Sequence, residues 1–183
     1  NSNALMLEAQ VAQAGAIPKR MPIVPDNPES LWQALSKAAS ESDLILTTGG
    51  VSVGSFDYVK HVLEEKGRVS FWKVAIKPGK PLAFGTIEET PLIGLPGNPV
   101  SAYVCFELFA KPGITTLCGQ PLSEPRTVRA KLSKDVSQNT TREQFLRAQL
   151  LDAPTGYTAQ LNPHQGSGQL SSLLNIGCLV QVP

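Results

Sequence analysis

Two glycine- and proline-rich turns constrain this chain more than any other feature. Thr47-Thr48-Gly49-Gly50-Val51-Ser52-Val53-Gly54 follows the apolar run Leu44-Ile45-Leu46, and Gly94-Leu95-Pro96-Gly97-Asn98-Pro99 follows another apolar run. Each reads as a turn that leaves a buried strand and enters a helix. Glycine lets the backbone adopt positive φ and approach a ligand, and proline fixes φ. Between them lies Lys73-Val74-Ala75-Ile76-Lys77-Pro78-Gly79-Lys80-Pro81. Turns with free N–H groups beside fixed positive charge make a site for a phosphorylated or otherwise anionic small molecule.

The order of elements predicts an α/β fold. Residues 3–14 read as a helix stopped by Gly15, and residues 16–24 as an outer strand broken by prolines. Asn27-Pro28 is a helix start, with Asn as cap and Pro at the first helical position. A strand at 43–47 and a helix capped by Ser55 follow. Strands are expected at 69–76, 81–85 and 91–95. A helix then runs from Asn98-Pro99 to about Ala110, where Lys111-Pro112-Gly113 interrupts it. Alternating helices and strands suggest a mostly parallel sheet covered on both faces, a three-layer α/β/α domain over residues 1–119. Composition changes at Gly119-Gln120-Pro121. Short strands at 127–132, 144–150, 157–161 and 178–182 suggest a small all-β, barrel-like domain over 120–183.

Composition excludes several classes. With 16 Lys+Arg against 15 Asp+Glu, the net charge of +1 among 183 residues gives no footprint for nucleic acid. No apolar run is long enough for a membrane span. Cys105, Cys118 and Cys178 are odd in number and lack CxxC spacing, so neither a disulfide framework nor a zinc site is expected, and a reducing cytoplasm fits. The chain starts at Asn1 and stops just after an apolar strand, which suggests a fragment of a longer protein.

The candidate site residues follow from these runs. Thr48, Gly49, Gly50 and Ser52 belong to the first turn. Pro96, Gly97 and Asn98 belong to the second. Lys73, Ala75 and Lys77 would share one face of a strand, with Trp72, Val74 and Ile76 on the other. Pro78 and Lys80 complete the lysine run, whose like charges carry a local cost that structure alone does not repay. Asp26, before a helix, and Asp57, in a first helical turn, are either charges favourable to a helix N-terminus or ligands for Mg²⁺. Arg147, on a strand, is suited to clamp an oxyanion. The loop His164-Gln165-Gly166-Ser167-Gly168 follows it. Neither His61 nor His164 has partners at metal or triad spacing.

These runs, in this order, resemble the molybdopterin molybdenumtransferase family, the molybdenum insertases that include the E domain of gephyrin. The matching stretches are Asn1-Ser2-Asn3, Val24-Pro25-Asp26, the Thr-Thr-Gly-Gly-Val-Ser-Val-Gly turn with Asp57-Tyr58, Phe71 to Phe84, Gly94 to Ser101, and His164 to Ser172. The resemblance implies an enzyme that takes adenylylated molybdopterin and molybdate, cleaves the adenylate with Mg²⁺, and inserts molybdenum with release of AMP. It implies active-site roles for Asp26, Asp57, Lys73 and Lys77, and oxyanion binding near Arg147 and Ser167. It also implies a homodimer in the full-length protein, with an adenylyltransferase as a possible partner. Missing N-terminal domains would leave a fragment that binds ligand without full activity. Two other readings stand beside it: a sibling molybdopterin adenylyltransferase, and a non-catalytic scaffold module of the gephyrin type.

Overall fold

A computed structural model describes residues 2–50, 58–121, 125–136 and 141–182, without the side chain of Trp72. Ser52, Ser55 and Asp57 lie outside the described residues.

The first helix, α1 (Ser2–Gln13), stops where Gly15 turns to φ 90°. The stretch after it pairs with no strand, contrary to the expected outer strand. Pro18, Pro22 and Pro25 explain this, since each lacks a ladder N–H. Helix α2 (Pro28–Glu41) starts as the sequence indicates. Asn27 Oδ1 accepts the Ser30 N–H at 2.8 Å, and Pro28 takes the first turn. Strand β1 (Ile45–Thr48) and helix α3 (Tyr58–Lys66) follow.

The expected strand over 69–76 is two strands in two sheets. β2 (Arg68–Lys73) joins the first sheet and β3 (Ile76–Lys77) the second. Lys73, Ala75 and Lys77 therefore do not share one strand face. β4 (Pro81–Ile87) and β5 (Thr90–Leu95) form a hairpin closed at Glu88-Glu89, with Glu88 at φ 54°.

The first sheet has the order β1-β5-β4-β2, and only the β1–β5 pair is parallel. β4 runs antiparallel to both β5 and β2. The expectation of a mostly parallel sheet is thus wrong. No helix separates β2, β4 and β5, and a parallel crossover needs a dozen or more residues. The correction matters for function. Antiparallel pairing sets Ala83 opposite Gly94 and Lys73 opposite Pro81. The start of β4 therefore lies at the same sheet end as the finish of β1 and β5.

Helices cover both faces of this sheet. Leu7 of α1, with Val100, Val104 and Phe106 beyond β5, packs against Leu82, Ile93 and Leu95. Leu35 of α2 and Val59, Val62 and Leu63 of α3 pack against Ile45, Ala83, Ile87 and Leu92. Neighbouring pairs such as Leu82/Ala83 and Leu92/Ile93 divide between the two cores, as strand alternation requires.

Helix α4 (Pro99–Cys105) does not break at Pro112. It widens into a π turn (Phe106–Ala110) and continues as α5 (Lys111–Leu117). The Lys111 N–H reaches back to Phe106 O. The wider turn carries the helix past a residue that cannot donate.

The second region is an open sheet, not a barrel. β7 (Glu143–Ala153) is its hub. β3 runs parallel to its first two residues, β8 (Gly156–Leu161) is antiparallel to 148–153, and β9 (Cys178–Val182) is antiparallel to 144–148. β6 (Ala130–Leu132) pairs only with β8 among the described strands, so the ring does not close. Its small core of Ala148, Ala159 and Leu161 fits a single curved layer. Because β3 belongs to this sheet, the two regions are joined by backbone hydrogen bonds. Glu143 N donates to Ala75 O at 3.0 Å, and Arg142 Nη1 to Ile76 O at 3.3 Å.

Candidate functional site

The parallel β1–β5 pair aligns Thr48 with Leu95, so the two glycine turns emerge side by side. Gly49 and Gly50 have φ 84° and 70°, which few other residues tolerate. Gly49 N donates to Leu95 O at 3.1 Å. The strand ends are stitched further by Asn3, a buried side chain on α1. Its Nδ2 donates to Thr48 Oγ1 and to Gly97 O, both at 2.8 Å, and Thr48 Oγ1 donates to Pro96 O at 3.3 Å. A polar residue buried on a helix gives no periodic signal, so sequence reasoning missed the role of Asn3.

The lysine turn sits at the same sheet end, between the regions. Lys77, Pro78, Gly79 and Lys80 border a cleft of about 410 Å³. Asn98 and Ser101 at the start of α4 line it from one side. Arg142, Gln144, Arg147 and Ser167 line it from the second region. Asn98 stands at the cap position of α4. Its side chain makes no cap bond, and Nδ2 donates instead to Ser167 Oγ at 3.2 Å. Val100 N donates to Ser167 O at 3.2 Å, so the loop after β8 is fastened to α4.

Arg147 is the largest fully buried side chain in the described structure. Its Nη2 donates to His164 O at 3.0 Å and to Gly166 O at 3.4 Å. Gln165 holds the same loop down: its Oε1 accepts Arg147 N–H at 3.0 Å, and its Nε2 donates to Arg147 O at 2.9 Å. Arg147 Nε finds no partner among the described residues, and neither does the buried Gln144 Nε2. No described carboxylate lies within salt-bridge distance of Arg147. Desolvation pulls its guanidinium pKa below the ordinary arginine value. A buried cation without an acid partner is costly unless something else supplies the counter-charge.

The structure brings together six of the sequence-derived candidates around this cleft: Lys77, Pro78, Lys80, Asn98, Arg147 and Ser167. Thr48, Gly49, Gly50, Pro96 and Gly97 form the adjoining turns. Lys73 stands exposed at the end of β2 and is not part of the cleft lining. Asp26 is exposed in the loop before α2. Ser101, Arg142, Gln144 and Gln165 were not singled out. Ser101 and Gln165 lay within quoted stretches without being assigned a role, and Arg142 and Gln144 are brought in by the start of β7.

Among the described residues no three His, Cys, Asp or Glu side chains form a metal cluster. The cleft presents ammonium, guanidinium, amide and hydroxyl groups with no carboxylate. Such a lining fits an anion. It does not fit Mg²⁺, which takes oxygen ligands.

Comparison with known proteins agrees with this arrangement. Residues 1–116 match the family described as "Probable molybdopterin binding domain", and residues 129–183 match "MoeA C-terminal region (domain IV)". The chain is therefore of the class that joins a molybdopterin-binding domain to a MoeA-type C-terminal region. A molybdopterin molybdenumtransferase of Haemophilus influenzae is 53% identical over 98 residues, which cover 54% of this chain and 24% of that protein. The protein of that name from Staphylococcus aureus is 32% identical across 100% of this chain. A solved molybdopterin biosynthesis MoeA protein of Pyrococcus horikoshii superposes with a TM-score of 0.81 at 30% identity, covering 99% of this chain and 43% of that one. The chain belongs to the MoeA, or molybdopterin molybdenumtransferase, family. It spans 44% of the length of the Staphylococcus aureus relative. No helix among the described residues is long and apolar enough to cross a membrane.

Proposed function

We propose that this chain forms the pterin- and oxyanion-binding part of a molybdenum insertase. Its substrates are adenylylated molybdopterin and molybdate, and its products are the molybdenum-loaded pterin and AMP. The observation that carries this reading is the cleft whose described lining has no carboxylate and is shared by buried Arg147 with Lys77 and Lys80. Both substrates are anions, and preorganised donors in a partly dry cleft lower the cost of bringing like charges together. Arg147, Gln144 and Ser167 would hold molybdate. Lys77, Lys80 and the Gly49-Gly50 and Gly97-Asn98 turns would receive the pterin phosphate.

The resemblance assigns Mg²⁺ to Asp26 and Asp57. The described cleft residues do not fit that ion, and no step is derived through it. Residues 1–119 and 120–183 are proposed as separate domains, with homodimerisation and an adenylyltransferase partner belonging to the longer protein.

The test has two stages. Calorimetric titration with molybdate is expected to show saturable binding that Arg147→Ala weakens roughly 100-fold. Incubation with adenylylated molybdopterin, molybdate and Mg²⁺ is then assayed for AMP and for loaded cofactor. Molybdate binding that survives Arg147→Ala unchanged would place the oxyanion elsewhere. ATP-dependent adenylylation of molybdopterin would point to the sibling enzyme instead.

A further inference from the structure

The turn that carries Lys77 and Lys80 has a floor. Gly79, between them, is buried at φ +119°. A methyl group on Gly79 would stand 2.5 Å from Cys105 Sγ and 3.0 Å from Ile76 Cδ1. Cys105 is the last residue of α4 and is wholly buried. Its thiol points at Gly79 O, 3.7 Å away. Burial pushes the thiol up to about 12, so at neutral pH it is a protonated donor and not a nucleophile.

Two consequences follow for the turn. The sulfur sets a contact distance that the backbone above it cannot shorten. The S–H also orients the Gly79 carbonyl, and that carbonyl shares its peptide plane with the Lys80 N–H. On the far side of Lys80, Val74 N donates to Lys80 O at 3.1 Å. Across the cleft, Arg147 Nε and Gln144 Nε2 are buried without a partner among the described residues. The height of the lysine turn thus decides how far Lys77 and Lys80 stand from those waiting donors.

We propose that Cys105 is a positioning residue of the cleft, fixing through Gly79 where Lys77 and Lys80 stand relative to Arg147. This rests on the reading of the cleft as an oxyanion site. The experiment compares Cys105→Ala, Cys105→Ser and a control, Val62→Ala, which thins the core on the opposite face of the first sheet. Molybdate alone is titrated into each, and the Gly79 and Lys80 amide resonances are followed in ¹⁵N spectra.

Displacing a binding group by a fraction of an ångström is expected to weaken molybdate binding roughly tenfold in Cys105→Ala. The two amide resonances should move with it. Cys105→Ser, which keeps a small donor, should recover most of both effects. Val62→Ala should lose stability without either effect. Unmoved Gly79 and Lys80 resonances in Cys105→Ala would overturn the proposal. So would molybdate binding no weaker than in Val62→Ala. If the unaltered chain does not bind molybdate at all, the oxyanion reading fails, and the resonances alone decide the role of Cys105.

Discussion

The two walls of the cleft are made differently. Residues 77–80, with Asn98 beside them and the turns at 48–50 and 96–97 adjoining, contribute a wall whose chemistry lies in backbone groups and in exposed lysine ends. Residues 142–167 contribute one buried guanidinium, with a loop tied down around it by Gln165. The lysine turn holds its shape through φ angles and backbone pairing, so its exposed lysine side chains are free to change at little structural cost. The arginine wall uses one side chain both to bind and to hold the loop. A change there strikes stability and binding together.

The largest expected effect tests that coupling directly. Arg147→Ala strips the donor from His164 O and Gly166 O and removes the buried charge. It is expected to cost about 2–3 kcal/mol of stability in urea titration. Molybdate affinity should fall roughly 100-fold, the scale for truncating a buried charged partner. Separable losses, with binding abolished at full stability, would break the comparison.

Lys77→Ala is the matching change on the turn wall. Lys77 is exposed, so stability should stay within about 0.5 kcal/mol of the unaltered chain. Molybdate or pterin-phosphate affinity is expected to fall roughly tenfold through loss of one charge-assisted contact. Calorimetry with chemical denaturation reads both quantities. A stability loss as large as that of Arg147→Ala would show that the turn wall also depends on its side chains.

The same difference explains what was legible in the sequence. The Gly49-Gly50 and Gly97-Asn98 turns could be read because positive φ and fixed φ demand particular residues locally. Asn27-Pro28 could be read for the same reason. Sheet direction could not. Alternating helices and strands suggested parallel pairing, while the short Glu88-Glu89 connection decided for a hairpin. The lysine strand was misread because its alternation is continuous in sequence, although the chain changes sheets between Lys73 and Ile76. Arg147 was singled out as a clamp, but its burial arises only when the 164–167 loop folds over β7. Gln144 and Gln165 carry no local signature of their contacts, which run to residues brought near by the fold.

A smaller effect concerns the joint between the two glycine turns. Asn3→Ala removes both donations, to Thr48 Oγ1 and to Gly97 O, and leaves Gly97 O dependent on water. The expected cost is about 1–2 kcal/mol in denaturant. Molybdate binding should change much less than in Lys77→Ala, because the partners of Asn3, Thr48 and Gly97, do not line the cleft. An effect on binding that exceeds the effect on stability would mean that the Thr48 turn moves with the ligand.

The smallest effect near neutral pH, and the most specific to the turn wall, is its alkaline loosening. The Cys105 thiol is raised from 9.0 to about 12 by desolvation. A folded-state pKa above the unfolded one means that the native state holds the proton more tightly. That stability is fully present below about pH 9 and is lost as pH rises through about 12. Cys178 and Tyr103 are also raised, chiefly by burial, so the whole chain should weaken in the same direction. The Cys105 share is isolated by subtraction. Between pH 8 and 10, the unaltered chain should lose roughly 1 kcal/mol more than Cys105→Ser, whose hydroxyl does not titrate there. Urea titrations at the two pH values measure it. Parallel losses in both proteins would mean that Cys105 ionises as easily folded as unfolded, and that the floor of the lysine turn is open to water.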